Sequence, residues 1–151
     1  MRIPRGRSAG LAIALAAAGL ALLPTQAQAA GSVHLAKIYY NSPGSDTRSN
    51  TSLNAEWVQV TNSTTKAVSL KKWTLTDASR HTYTFGTFTL KAHATVTVHT
   101  GKGRNTTANV YQQRAAYVWN NDKDKATLRT SSGAVHDTCS YHSTRVSYKN
   151  C

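Results

Sequence analysis

Two runs leave this chain little choice of architecture: Glu56-Trp57-Val58-Gln59-Val60-Thr61-Asn62 and Ala94-Thr95-Val96-Thr97-Val98-His99-Thr100. In both, valines alternate with polar or aromatic residues. A strand turns successive side chains to opposite faces, so this period of two sends the valines to a core and their neighbours to a second face. A tryptophan-centred run, Leu70 to Asp77, lies between them, and turn residues at Asn62-Ser63-Thr64 and Gly101-Lys102-Gly103 end the first two. Further strands are expected at 33–40, 67–70, 73–77, 82–85, 87–90, 109–112, 116–119, 125–130, 134–140 and 144–149. Long polar loops are expected at 41–55 and 101–108, and tight turns at Asn120 to Asp124 and Ser131-Ser132-Gly133. No helical stripe and no repeat interrupts this series, which predicts an all-β sandwich or barrel.

The first residues differ in character. Arg2, Arg5 and Arg7 precede an apolar stretch from Ala9 to Leu23, Pro24 breaks it, and Ala27-Gln28-Ala29 offers a small-x-small cleavage site. That is the pattern of a secretory signal peptide over residues 1–29, with an alanine-rich core of the bacterial kind. Its apolar part falls short of the roughly 20 residues a membrane-spanning helix needs. Cleavage after Ala29 is expected to release residues 30–151 as one secreted, extracellular domain, long enough for a real core and too short for two. In that part fifteen Lys and Arg face six Asp and Glu, a formal charge of +9. Such an excess favours polyanions: wall polymers, acidic polysaccharides, nucleic acid or anionic lipid. Solubility alone is the bland alternative. Cys139 and Cys151 are the two cysteines, and in an exported chain they are expected to form one disulfide.

The run at Glu56 to Asn62, followed by Val68-x-Leu70-x-x-Trp73-x-Leu75-x-Asp77, resembles the opening strands of the lamin-tail domain. The likeness continues through Thr82-Tyr83-Thr84-Phe85, Phe88-Thr89-Leu90, Val96 to Gly101, Trp119-Asn120-Asn121-Asp122-x-Asp124-x-Ala126-x-Leu128 and Gly133-x-Val135-x-Asp137. It covers roughly 34–141, and order and spacing carry it rather than any one piece. The resemblance implies an immunoglobulin-like β-sandwich that acts as an interaction module. In nuclear lamins the domain has protein and DNA partners; bacterial members are exported and mostly have no assigned activity. No catalytic residue carries over. This chain departs from the pattern with Gln59 where an acidic residue is common, Lys123 where a turn glycine is common, and Lys91-Ala92-His93 in place of a Pro-Gly turn.

The acidic residues are Asp46, Glu56, Asp77, Asp122, Asp124 and Asp137. Paired-carboxylate hydrolysis needs two across a cleft, whereas Asp122 and Asp124 share a turn and are expected to face the same way. Calcium takes oxygen ligands at alternate positions of a flexible loop. Asn120, Asp122 and Asp124 have that spacing, and Asp46, Asn50, Asn54 and Glu56 offer a second set. Against this, Asn and Asp form turns unaided, and Lys123 and Lys125 flank the first set. No cofactor is expected; calcium is the one candidate. His34, His81, His93, His99, His136 and His142 show no metal or catalytic spacing, and His136 and Asp137, being adjacent, are expected on opposite faces of a strand. Trp57, Trp73 and Trp119 fit strand patterns and are expected in the core or on a sheet face; left open, they would stack on sugar rings.

The basic residues Lys71, Lys72, Lys102, Arg104, Lys123 and Lys125 lie in or beside turns, and sandwich loops gather at its two ends. The expectation is a secreted, non-enzymatic binding module whose basic loops meet an anionic polymer (wall polymer, polysaccharide or nucleic acid) or an extracellular or envelope protein. A structural protein-interaction domain with incidental charge and a carbohydrate-binding module are the alternatives. A hydrolase is disfavoured, and no reactive loop marks an inhibitor.

Overall fold

The two alternating runs become partners. They are β2 (Trp57–Asn62) and β7 (Thr95–His99), paired antiparallel with Val58 opposite Val98 and Val60 opposite Val96, all four fully buried. The computed structural model describes residues 31–151, so the expected signal segment, 1–29, lies outside the described residues. β1 (Val33–Tyr39) pairs with the other side of β2, β11 (Tyr148–Asn150) with β1, and β8 (Asn109–Tyr111) with β7. The resulting sheet has the order β11-β1-β2-β7-β8. β8 runs parallel to β7, because the 100–108 segment folds back along the strand it has just left.

A second sheet, order β10-β9-β4-β5, is built from β4 (Thr74–Thr76), β5 (Thr82–Thr84), β9 (Lys123–Arg129) and β10 (Val135–His142). A two-stranded ribbon joins β3 (Val68–Ser69) to β6 (Thr89–Leu90). Ile38, Val58, Val98 and Val110 form one register row across the inner face of the first sheet. Leu75, Ala126, Leu128 and Phe85 come from the second, and Leu70 and Leu90 from the ribbon region, into one core. Each fully buried aliphatic side chain here contributes about 1.5–3 kcal/mol relative to exposure. Two packed sheets, antiparallel apart from the β7–β8 pair, around such a core make an immunoglobulin-like β-sandwich.

Two bulges determine how the sheets meet at one side. β1 skips a residue between Leu35 and Lys37, and β10 skips one between Val135 and Asp137. The second bulge overturns the expectation that His136 and Asp137 point apart. Both reach the outer edge of β1: His136 Nε2 lies 2.9 Å from the Val33 carbonyl oxygen, and Leu35 N–H donates to Asp137 Oδ2 at 2.8 Å. Beyond them Cys151 N–H donates to the Ala36 carbonyl, and β11 pairs from Lys37 onward. Cys139 of β10 is bridged to Cys151, with 5.8 Å between their Cα atoms.

Other boundaries shift for local reasons. Five residues of the expected 41–55 loop form a helix, α1 (Asn50–Asn54), whose N-cap Ser49 accepts from Ser52 N–H at 3.2 Å. The strand expected at 116–119 is an irregular segment. Val118 and Trp119 are buried there, held by a side chain described below rather than by a ladder. β10 runs on to His142, and the last strand begins only at Tyr148, because Tyr40 Oη donates to the Ser143 and Val146 carbonyls and fixes the intervening turn.

Candidate functional site

The direction of β2 defines the two ends of the sandwich, one at Trp57 and one at Asn62. His99 pairs with Trp57, so the 100–108 segment with Lys102 leaves from the Trp57 end. Tyr40 Oη binds the Ser143 carbonyl, and Ser143 N–H donates to Asp122, which puts the 120–124 turn and Lys123 at that end too. Lys71 and Lys72 lie at the other: Val68 pairs with Leu90, whose carbonyl accepts from Asn62 Nδ2 at 3.1 Å. Hence the six basic residues singled out from sequence do not share one surface. Lys125 lies along β9, and Arg104 in the segment returning beside β7.

At the Trp57 end the oxygen-bearing residues considered for calcium hold loops in place. Glu56 is almost fully buried, and its Oε1 accepts from Thr100 Oγ1 at 2.6 Å and from Val118 N–H at 2.8 Å. Its Oε2 is buried with no hydrogen-bond partner among the described residues. Burial pushes the Glu56 carboxyl up from 4.5 to about 7, although those two donors pull the other way. Asn50 and Asn54 both donate to the Lys102 carbonyl at 2.9 Å, and Asn50 Oδ1 accepts from Lys102 N–H at 2.7 Å. This clamp needs Gly101, where a Cβ would stand 2.6 Å from Asn54 Oδ1.

Asp124 accepts from three backbone N–H groups, those of Ala78 (2.9 Å), Lys125 (2.7 Å) and Asn120 (3.2 Å). Asp122 accepts from Lys123 N–H and Asp46 from Asn121 Nδ2. Asp124 is buried on β9 while Asp122 is exposed, so the two part company instead of facing the same way. The Asp46–Asn121 bond does bring the two proposed sets together. Even so, no three His, Cys, Asp or Glu side chains converge on a metal-sized site among the described residues.

Several histidines are also occupied structurally. His99 bridges the Asn54 carbonyl and Asn109 Oδ1, both at 2.8 Å; His81 Nδ1 lies 2.6 Å from Asp77; His136 meets the edge of Trp73 at 4.8 Å. His93 sits in the 91–94 turn at a φ of 58°.

Trp73 and Trp119 are buried. Trp57 is half-buried on the outer face, in a register row that crosses the whole sheet: Tyr148, Tyr39, Trp57, His99, Tyr111. Sequence reading had missed this row, since it appears only when five separate strands are aligned. Tyr39 stacks on Trp57 (5.3 Å), Tyr39 on Tyr148 (6.2 Å) and His99 on Tyr111 (4.9 Å). These spacings follow the strands, so the rings stand on the sheet and cover one another. Lys37 Nζ lies 4.1 Å above Tyr148, and the Gly103 backbone packs against Tyr111. A sugar ring would need an open face, and this row mainly presents edges.

The charges follow a simple rule. Every one of the six carboxylates accepts hydrogen bonds from backbone or neutral donors, apart from the His81 contact to Asp77. No Lys or Arg lies within 4.0 Å of a carboxylate oxygen among the described residues. The basic side chains are thus electrostatically unpaired, and none of them is buried. A search of the curated proteins returned no match. The family model of the Lamin Tail Domain matches residues 26–143. Lamin-tail domains are immunoglobulin-like interaction domains, and on the extent of that match the chain belongs to the lamin-tail domain family.

Proposed function

We propose that the chain is an exported, non-enzymatic module that binds an anionic polymer through its basic side chains. The observation that supports this reading is the absence of any Lys or Arg ion pair among the described residues. A surface charge that is not neutralised internally remains free to attract an external polyanion. The carboxylates, with His81, His99 and His136, are engaged in fixing loops and edges. The disulfide agrees with export to an oxidising compartment.

A salt titration tests the reading. Binding of the mature protein to an immobilised polyanion is expected to weaken steeply between about 50 and 200 mM salt, because each neutralised charge releases a counterion. A second reading, a protein-interaction domain whose charge serves solubility, rests on the family's role as an interaction domain. It predicts partner capture that survives such salt, since apolar contacts are not screened. Absence of polyanion binding near physiological salt would overturn the first reading.

A further inference from the structure

We infer that the polymer binds at the Asn62 end of the sandwich and is a linear, hydroxyl-rich chain carrying phosphodiester charges. The inference rests on the polyanion reading above and narrows it to one surface and one chemistry. Two turns converge there on a single buried amide. Asn62 Nδ2 donates to the carbonyls of Lys66 (2.8 Å) and Lys91 (3.1 Å), while Asn62 Oδ1 accepts from Thr64 N–H and Oγ1. Lys66 and Lys91 are therefore held beside each other with exposed side chains. Lys71 and Lys72 project from the neighbouring Leu70–Trp73 turn, whose strand places Thr74 opposite Arg129.

The acidic residues are distributed the other way. Asp46, Glu56, Asp77, Asp122 and Asp124 belong to the loops and strand ends of the Trp57 side. Asp137 is the one carboxylate toward the Asn62 side, and it accepts from Leu35 and Thr138 N–H. Lys102 and Lys123 at the Trp57 end thus share their surroundings with five carboxylates, whereas the four lysines at the Asn62 end share theirs with Asp137 alone. A polyanion gains most where the fewest fixed negative charges oppose it.

The lysine-rich make-up indicates the anion. The two-pronged arginine fork grips planar carboxylate and phosphate alike, while lysine, a point charge, is a recurrent phosphate ligand. Arg129, the one arginine here, donates to the Gly133 carbonyl at 3.1 Å. Beside Lys91 a groove of about 560 Å3 opens, lined by Tyr83, Phe88, Thr89, Asn105 and Thr106 among others. Its rings are held against Phe85, Tyr83 edge-on at 5.0 Å and Phe88 tilted at 5.9 Å, so they form a floor rather than a stack for bases. Hydroxyl and amide groups around an apolar floor suit a polyol or sugar backbone, with the lysines meeting its phosphates.

The test uses the mature, disulfide-bonded chain and three probes: poly(glycerol phosphate), hyaluronate and single-stranded DNA. K66S/K71S/K91S is compared with K102S/K123S/R145S, each checked by thermal melting to be folded; the residues of the second lie at the Trp57 end, Arg145 in the turn held by Tyr40. Poly(glycerol phosphate) is expected to bind best. The first variant should lose roughly tenfold or more in affinity near 0.1 M salt and flatten the salt slope, by up to about 0.9 per lost contact, while the second should change little. Equal losses, or a greater loss from the second variant, would overturn the assignment of this end but leave polyanion binding intact. Preference for hyaluronate or DNA would overturn the phosphodiester chemistry. Wild-type protein that binds none of the three would overturn both this inference and the reading it rests on.

Discussion

Glu56 is the residue whose chemistry is most at odds with its surroundings. A free carboxyl ionises near 4.5, but burial raises this one to about 7. Between those values the folded protein holds a proton that the unfolded chain has released. Stability contributed by this group is therefore greatest below about 4.5 and falls as pH rises toward 7, by an amount on the order of 3 kcal/mol if the full shift is expressed. Glu56→Gln keeps the oxygen that accepts from Thr100 and Val118 and removes the charge. The variant should melt at least as high as wild type at pH 8, and the difference between the two should shrink on going to pH 5. Parallel melting curves at all pH values would contradict this. Glu56→Ala is different: it leaves the buried Val118 N–H and Thr100 hydroxyl without their acceptor and should cost about 1–3 kcal/mol at pH 5, and less at pH 8, where the ionised wild-type carboxylate has lost its own contribution.

At the scale of elements, what could be read from sequence was whatever repeats along a strand. Val58, Val60, Val96 and Val98 announce β2 and β7 because alternation is a local property. α1 is five residues long, shorter than any amphipathic stripe, and Ser49 is the one local sign of it. Val118 and Trp119 looked like a strand because they are apolar and buried, yet their backbone partner is the Glu56 side chain, a contact 62 residues away. The basic loops were legible as turns, but which end each occupies depends on strand order, which the sequence does not state. The 91–94 turn gives a further test of local reasoning. His93 adopts a left-handed backbone (φ 58°) that a side chain disfavours by about 1–3 kcal/mol, where glycine would carry little strain. His93→Gly should accordingly stabilise the fold by about 0.5–1 kcal/mol, since glycine's greater freedom in the unfolded chain offsets part of the gain. An unchanged or lowered melting temperature would show that the His93 side chain makes up the difference.

For the molecule as a whole, the Cys139–Cys151 bridge connects the last strand of one sheet to an edge strand of the other. Reduction, or Cys139→Ser with Cys151→Ser, should lower stability by about 2–3 kcal/mol, and Tyr148–Asn150 should lose amide-exchange protection before β2 or β7 do. Uniform protection loss across both sheets would mean the bridge supports the entire fold rather than that strand. The same corner has a consequence for how copies of the protein behave when crowded. A bare strand edge is a template on which a neighbour can grow more sheet. Along the start of β1 that template is filled by His136, Asp137 and Cys151, and on the far side Asn105 and Thr106 occupy the outward N–H groups of Tyr111 and Asn109. In that sheet the three-residue β11 is what remains for a neighbour to pair with, while the second sheet presents β10 and β5 at its margins. A sheet closed in this way resists growth of further strands on its own margins, so crowded copies do not seed one another through it.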